Sequence, residues 1–362
     1  MKHCHFQTWN LVILCIAICF YGCTSKGTGE EFNLEEFEKN KVIGEKFSNQ
    51  IIIGAASHMA IGGDYLYINT LVGASDSTIS VIDIPERKFR GYMYRKGGAP
   101  DEVNIAWNIK CHGGKLYFED GNEQILFESD GYGTSGGHNL SRFTLSGITP
   151  DFATRLKGTT IVKSLSLMQD QDTMSAAIIV DDTIDRLFMP FPNFVNERIR
   201  EEYPLQPLLR YLAYQASHAV KRDQSKLAVG YMNTDLISIY DEEGRALTEL
   251  RGPINTDPVF RSEQIGKGIA PRPVQDENRN AYLAMDSSRD KLFALYSGHY
   301  SHPSTPGTGS NNTLIVIDWD DYSIESIYDL IPAPDIFTVN EDGSTIFGLV
   351  RSEDYALYQY EL

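Results

Sequence analysis

Few side chains in this sequence are spaced for chemistry. His299-Tyr300-Ser301-His302 places two imidazoles three residues apart. Pro303 follows, so no helix holds the pair in register, and a metal would need further ligands from elsewhere. Cys111-His112 adjoins Gly113-Gly114 and reads as a hairpin edge with a buried thiol and a turn-edge imidazole. Asp170-Gln171-Asp172 and Asp181-Asp182 bring carboxylates together without the glycine and bidentate glutamate of a calcium loop, so they read as solvated turns. The run Gly131-Tyr132-Gly133-Thr134-Ser135-Gly136-Gly137 has the glycines of a phosphate loop but no strand-then-helix around it. No Gly-x-Ser-x-Gly elbow is present. The sequence therefore assigns no catalytic residue, no metal ligand and no cofactor.

Two histidines and one charged loop remain as candidate binding groups. His58 and His218 each fall shortly before a turn, Gly62-Gly63 and Gln224-Ser225, which favours a repeat-derived structural role for both. Arg95-Lys96 and Asp101-Glu102 flank Gly97-Gly98-Ala99-Pro100. The glycines permit a sharp backbone turn and the proline stiffens the exit. Such a loop serves either as an inter-blade latch or as a charged binding rim.

The elements that must position these groups are strands, arranged in a repeated two-part phrase. The first part is a turn and a strand with Leu or Ile at one place. It occurs at Gly62-Gly63-Asp64-Tyr65-Leu66-Tyr67, Gly113-Gly114-Lys115-Leu116-Tyr117, Ser225-Lys226-Leu227-Ala228, Arg289-Asp290-Lys291-Leu292-Phe293 and Asp342-Gly343-Ser344-Thr345-Ile346-Phe347. The second part is an alternating strand that closes on an acid: Ile79–Asp83, Gln124–Glu128, Leu236–Asp241, Leu314–Asp318 and Leu357–Glu361. The clearest pairing runs from Ser225 through Leu236 to Glu249, with a tight turn at Glu243-Gly244. A wide gap after the second copy predicts a degenerate sixth, with Ser175–Val180 and Asp185–Met189 as candidates. Six units of about 55 residues make a six-bladed, all-β propeller rather than a sandwich. The last copy ends after its third strand. A strand from within 42–55 is therefore expected to pair beside 355–362 and close the ring, which removes an exposed edge. The proline-rich stretch Pro190–Tyr214, with Gly131–Asn139 and Gly298–Asn312, reads as excursions on the propeller faces.

Ahead of the propeller, Leu11–Phe20 is an apolar run too short to span a bilayer and suited to a signal peptide. It ends at Gly22-Cys23, which resembles a lipobox, so residues 1–22 are expected to leave and Cys23 to carry lipid. Thr24 to Lys41 is polar and acidic, and residues 23–41 are expected to form a flexible tether before a propeller over 42–362. With the leader gone and Cys23 acylated, Cys111 is the one thiol left, so no internal disulfide forms. A net charge of −17 excludes a basic nucleic-acid surface.

The loop Arg95-Lys96-Gly97-Gly98-Ala99-Pro100-Asp101-Glu102 resembles the Arg-x-Gly-x-Gly-Pro-x-Glu loop of TolB-like six-bladed propeller lipoproteins of Gram-negative bacteria. Ala99 stands where that loop has glycine, and Asp101 and Val103 replace its Gly and Phe. The resemblance implies an envelope lipoprotein at the outer membrane, facing the periplasm or the surface, and implies no reaction; a monomer is expected. Thr24 rather than Asp after Cys23 agrees with outer-membrane sorting, and Glu30-Glu31 close behind matches a surface-export signal of some groups. The expected role is binding of an envelope protein, a peptide or a glycan. The alternative is a lyase or hydrolase in the central channel with a bound divalent cation. That would need Asp, Glu or His from several innermost strands to converge, and His58 and His218 are the main candidates there.

Overall fold

A leucine or isoleucine recurring behind each turn has a simple physical outcome. Leu66, Leu116, Leu227, Leu292 and Ile346 are all buried at the second strand of a blade, packed between neighbouring sheets. The computed structural model describes residues 30–48, 53, 55–69, 76–120, 122–132, 139–164, 167, 174–192, 213–265, 268–300, 312–351 and 355–362. Cys23, His302, Asp170–Asp172 and most of the 190–214 and 298–312 excursions lie outside them.

Six antiparallel sheets follow one another along the chain. Blade 1 comprises Met59–Gly62, Tyr65–Asn69, Ser77–Asp83 and Lys88–Arg95; blade 2 comprises Trp107–His112, Lys115–Asp120, Ile125–Ser129 and Leu140–Thr144. Blade 3 is Phe152–Leu156, Thr159–Lys163, Met174–Val180 and Thr183–Pro190; blade 4 is Ala216–Val220, Lys226–Tyr231, Leu236–Asp241 and Ala246–Arg251. Blade 5 is Tyr282–Ser287, Lys291–Tyr296, Thr313–Asp318 and Ile324–Ile331. Blade 6 has Ile336–Val339, Thr345–Arg351 and Tyr355–Glu361 from the C-terminus, and Glu45–Lys46 as its fourth strand, Lys46 opposite Tyr358. The expected closure by an N-terminal strand is therefore present. The inner strands of blades 6 and 1 pack together and complete the ring.

The acids that end the third strands hold the turns that follow. Asp83 accepts the backbone N–H of Glu86 at 2.7 Å, and Asp241 accepts those of Glu243 and Arg245 at 3.0 and 2.8 Å. Asp318 accepts those of Asp320 and Asp321. Each carboxylate satisfies turn donors that would otherwise face only water, a side-chain turn closure.

The degenerate copy corrects the sequence reading in part. Ser175–Val180 and Asp185–Met189 are the third and outer strands of blade 3 rather than a complete copy of the phrase. The second strand begins at Thr159, so the place held elsewhere by Leu is Thr160, whose hydroxyl accepts from Arg155 at 3.1 Å. A polar residue there hides the blade from a search for the repeat.

The tether is the second correction. From Glu30 onward the chain is docked: Glu30–Glu31 runs parallel to the outer strand of blade 4 and Lys39–Ile43 parallel to that of blade 5, before Glu45–Lys46 joins blade 6. Phe32 and Leu34 pack on the core between blades 4 and 5, and Val42 on the next one. Gly44 lies against the Tyr360 ring, where a Cβ would clash. This strap looks unstructured in sequence because its strands are added at the rim, with Lys39, Asn40 and Lys41 all exposed.

Antiparallel order also sorts the connections. First-to-second and third-to-outer turns lie on one face, here the turn face; second-to-third and blade-to-blade connections lie on the other, the loop face. The blade 4 to blade 5 connection contains an additional hairpin, Phe260–Ile265 with Gly268–Pro273.

Candidate functional site

The charged loop after blade 1 folds back on itself. Val103 N–H donates to Arg95 carbonyl at 2.9 Å, Glu102 N–H to Ala99 carbonyl at 2.9 Å, and Ala99 N–H to the Glu102 carboxylate at 3.1 Å. That carboxylate fills the space a Cβ on Gly97 would need. From the outer strand of blade 2, Arg142 donates to the Ala99 and Glu102 carbonyls at 2.7 and 3.0 Å. Arg95, Lys96 and Asp101 stay at the surface on the loop face, far in the chain from His58 and His218, which the fold sends to the channel. The loop thus has the geometry of a latch. Replacing Arg142 with Ala should cost about 1 kcal/mol, a fall of about 2 °C in unfolding midpoint. An unchanged midpoint in a calorimetric scan would remove the latch role.

The channel is built by inner strands, and here the structure brings together more than the sequence reading placed. His58 and His218 are joined by Lys110 and His112 of blade 2 and Asp286 of blade 5, with Arg222 just beyond the inner strand of blade 4. Lys110 reaches across the axis and donates to Met285 carbonyl at 2.6 Å. Arg222 crosses in turn, donating to the carbonyls of Cys111 in blade 2 and, at 3.0 Å, of Val339 in blade 6. Asp286 accepts from the Thr338 hydroxyl at 2.6 Å and the Val339 N–H at 3.0 Å. Lys110 thus braces two opposite blades across the axis, and Arg222 ties blade 4 to blades 2 and 6.

Each histidine lies against an aromatic ring. His218 stacks on Phe152 and His112 on Tyr117, both with ring centroids 4.2 Å apart, while His58 meets Trp107 edge-on at 5.9 Å. Burial, aided by Lys110, holds His58 neutral down to about 3. Burial with Arg222 and Lys110 does the same for His112, also to about 3. Burial, then Lys110 and the other two histidines, pushes His218 well below the ordinary value. His112, read from sequence as a turn-edge imidazole, is 2% exposed, because blade 3 covers it and Thr154 Oγ1 meets its Nε2 at 3.1 Å. Behind the channel, burial raises the Glu119 carboxyl to about 8, against the opposing bond from Asn108. Burial likewise pushes the Cys111 thiol up to about 12, which keeps it unreactive.

A cavity of about 510 Å³ opens on the turn face beside the channel. The Gly62-Gly63 and Gly113-Gly114 turns frame it, Tyr65 and Tyr132 wall it, and His112 and Arg222 line it at the channel side. Gly113 and Gly114 both take positive φ, 56° and 72°, as a two-residue hairpin turn requires. Lys115 pairs with Asp130 at the edge, and Glu341 with Arg289. Among the described residues no group of three or more His, Cys, Asp or Glu is placed to hold a metal ion, and no helix is long and apolar enough to cross a membrane.

No family model and no curated protein matches the sequence. Among solved structures the chain is similar to a member of the DUF4221 family from Bacteroides vulgatus, with a TM-score of 0.52 and 9% identity over 89% of this chain and 96% of that one. It is also similar to an inferred exported protein from Bacteroides fragilis, with a TM-score of 0.50 and 9% identity over 92% of this chain and 98% of that one. Such identities speak to the fold alone. The neighbours agree with the six-bladed propeller, whereas the TolB-like resemblance stands on the Arg95–Glu102 loop and the Cys23 motif of the sequence.

Proposed function

We propose that this protein is a lipid-anchored interaction module of the cell envelope, taking a macromolecular partner on its loop face. One observation carries the reading: the strand ends that open and close the long connections after Pro190, Arg251 and Tyr296 lie on that face, and the second of these connections carries the Phe260–Pro273 hairpin. Long connections on a rigid scaffold are where binding residues concentrate. Cys23 supplies the anchor, and Thr24 favours an outer-membrane destination in the TolB-like manner. The likeness to an inferred exported protein supports an envelope setting.

Both halves can be tested in cells. Labelled palmitate should enter the wild-type protein and leave Cys23→Ser unlabelled and soluble; equal labelling of the two would end the anchor reading. A photo-crosslinker at Arg261, exposed on the hairpin, should give a discrete adduct that one at Lys157, on the turn face, does not. Protease or glycosidase sensitivity of that adduct then separates a protein or peptide partner from a glycan. Equal adducts from both positions, or none, would count against a loop-face partner.

A further inference from the structure

We propose that the turn-face cavity is a binding site for a small oxyanion, a carboxylate or phosphate group seated where Arg222 and His112 line it. The site lies on the opposite face from the macromolecular partner and stands or falls separately from that reading. Four observations support it.

The first is uncompensated charge. Lys110 and Arg222 are bonded to backbone carbonyls, and among the described residues neither has a carboxylate within ion-pair distance. Both side chains are half-buried, and a charge withdrawn from water is ordinarily paired because desolvation is costly. Asp286, the carboxylate near enough to act on Lys110, already accepts from Thr338 and Val339. Glu119, held largely protonated near neutral pH, adds little negative charge, and the three histidines add no positive charge. With Asp286 counted, one positive charge remains.

The second is unmet bonding. Among the described residues, His112 Nδ1 and Arg222 Nε are buried without a hydrogen-bond partner, and both residues line the cavity. Orphaned polar groups of this kind are rare in native structures. The third is the edge: Asp130 and Glu341 are neutralised by Lys115 and Arg289, which among the described residues leaves Asp64 as the one lining acid without a cationic partner, out at an exposed turn. An incoming anion therefore meets an entrance whose one unpaired charge, Asp64, lies out at the turn, and a cationic floor at Arg222. The fourth is size, since about 510 Å³ falls within the range of small-molecule sites. Tyr65 and Tyr132 provide a wall for the uncharged part of the molecule.

The test titrates the whole domain calorimetrically with inorganic phosphate, glucuronate and, as the uncharged control, glucose. Saturable heat with either anion and none with glucose is expected, and the anion that binds identifies the oxyanion. Arg222→Gln should weaken that binding at least tenfold and Arg222→Lys less. Because Arg222 also braces the channel, a measurement on unmutated protein is needed. The ¹⁵N resonances of the His112 ring should shift on titration with the binding anion and stay fixed with glucose. Absence of both heat and shift with phosphate and glucuronate, or equal binding of glucose, would overturn the assignment.

Discussion

Acidification from pH 6.5 to 4 should cost this propeller about 4 kcal/mol of stability, without any change in its contacts at neutral pH. The reason is proton uptake on unfolding. His112 and His218, each 2% exposed, stay neutral in the folded chain, whereas in the unfolded chain they protonate around 6.5. Their folded-state pKa values are depressed, so the stability they confer is complete above 6.5 and is lost as pH falls toward about 3. Glu119 works in the opposite sense: raised to about 8, it favours the folded state below that value, and its contribution shrinks as pH climbs from 4.5 to 8. Near pH 5.5 the two histidines outweigh Glu119 by about one proton, a slope of about 1.4 kcal/mol per pH unit; near pH 4 the balance approaches two protons and twice that slope. His58, half-buried at the channel mouth, adds less. A loss of this size is a large part of the stability of a typical domain. Urea midpoints at pH 7, 5.5 and 4.5 measure the effect directly. His218→Gln should flatten the acid limb by about 1.4 kcal/mol per pH unit, and parallel limbs for the two proteins would show that the channel histidines do not control it.

Removing the strap is expected to cost at least as much. A chain beginning at residue 48 lacks the fourth strand of blade 6 and uncovers the outer edges of blades 4 and 5. It also loses Phe47, 3% exposed and edge-on to Phe347 at 5.3 Å, together with Phe32, Leu34 and Val42. One buried phenylalanine and three partly buried side chains amount to about 5 kcal/mol by area. The hydrogen bonds from Phe32, Gly44 and Phe47 N–H to the carbonyls of Arg251, Ile331 and Leu357 go as well. Three bare strand edges also invite pairing between molecules. Against a reference chain beginning at residue 30, the shortened chain should melt at a much lower temperature and sediment as aggregates. A monomer with the reference midpoint would mean that the strap is ornamental.

The parts of this architecture that were legible in sequence are those where one position carries one job. Leu66, Leu116, Leu227, Leu292 and Ile346 fill the same inter-blade slot, and Asp83, Asp241 and Asp318 close the same turn, so the repeat announces itself. Where Thr160 takes the leucine place, the signal disappears although the strand persists. The strap was illegible because rim strands bury little and so need no alternation. The channel was harder still. Lys110 meets Met285, and Arg222 meets Val339, across more than a hundred residues of chain. Inner strands carry no turn-strand phrase, and a lysine such as Lys110 in Trp107–His112 looks like any surface residue until the ring closes around it. His58 and His218 were visible as unusual residues, while the electrostatic setting that unites them with Lys110 exists only in three dimensions.

Docking of Glu30 beside Leu250 at the outer rim of blade 4 also sets how the wheel would stand on a bilayer. With lipid on Cys23, six residues separate the anchor from that rim. Fully stretched they span about 20–25 Å. The rim of blade 4 would then be the part of the propeller tied nearest the lipid, with blade 1 on the opposite side of the ring. An anchor leaving from the rim would pass through neither flat face, so the lipid attachment itself would occupy neither the loop face nor the turn face.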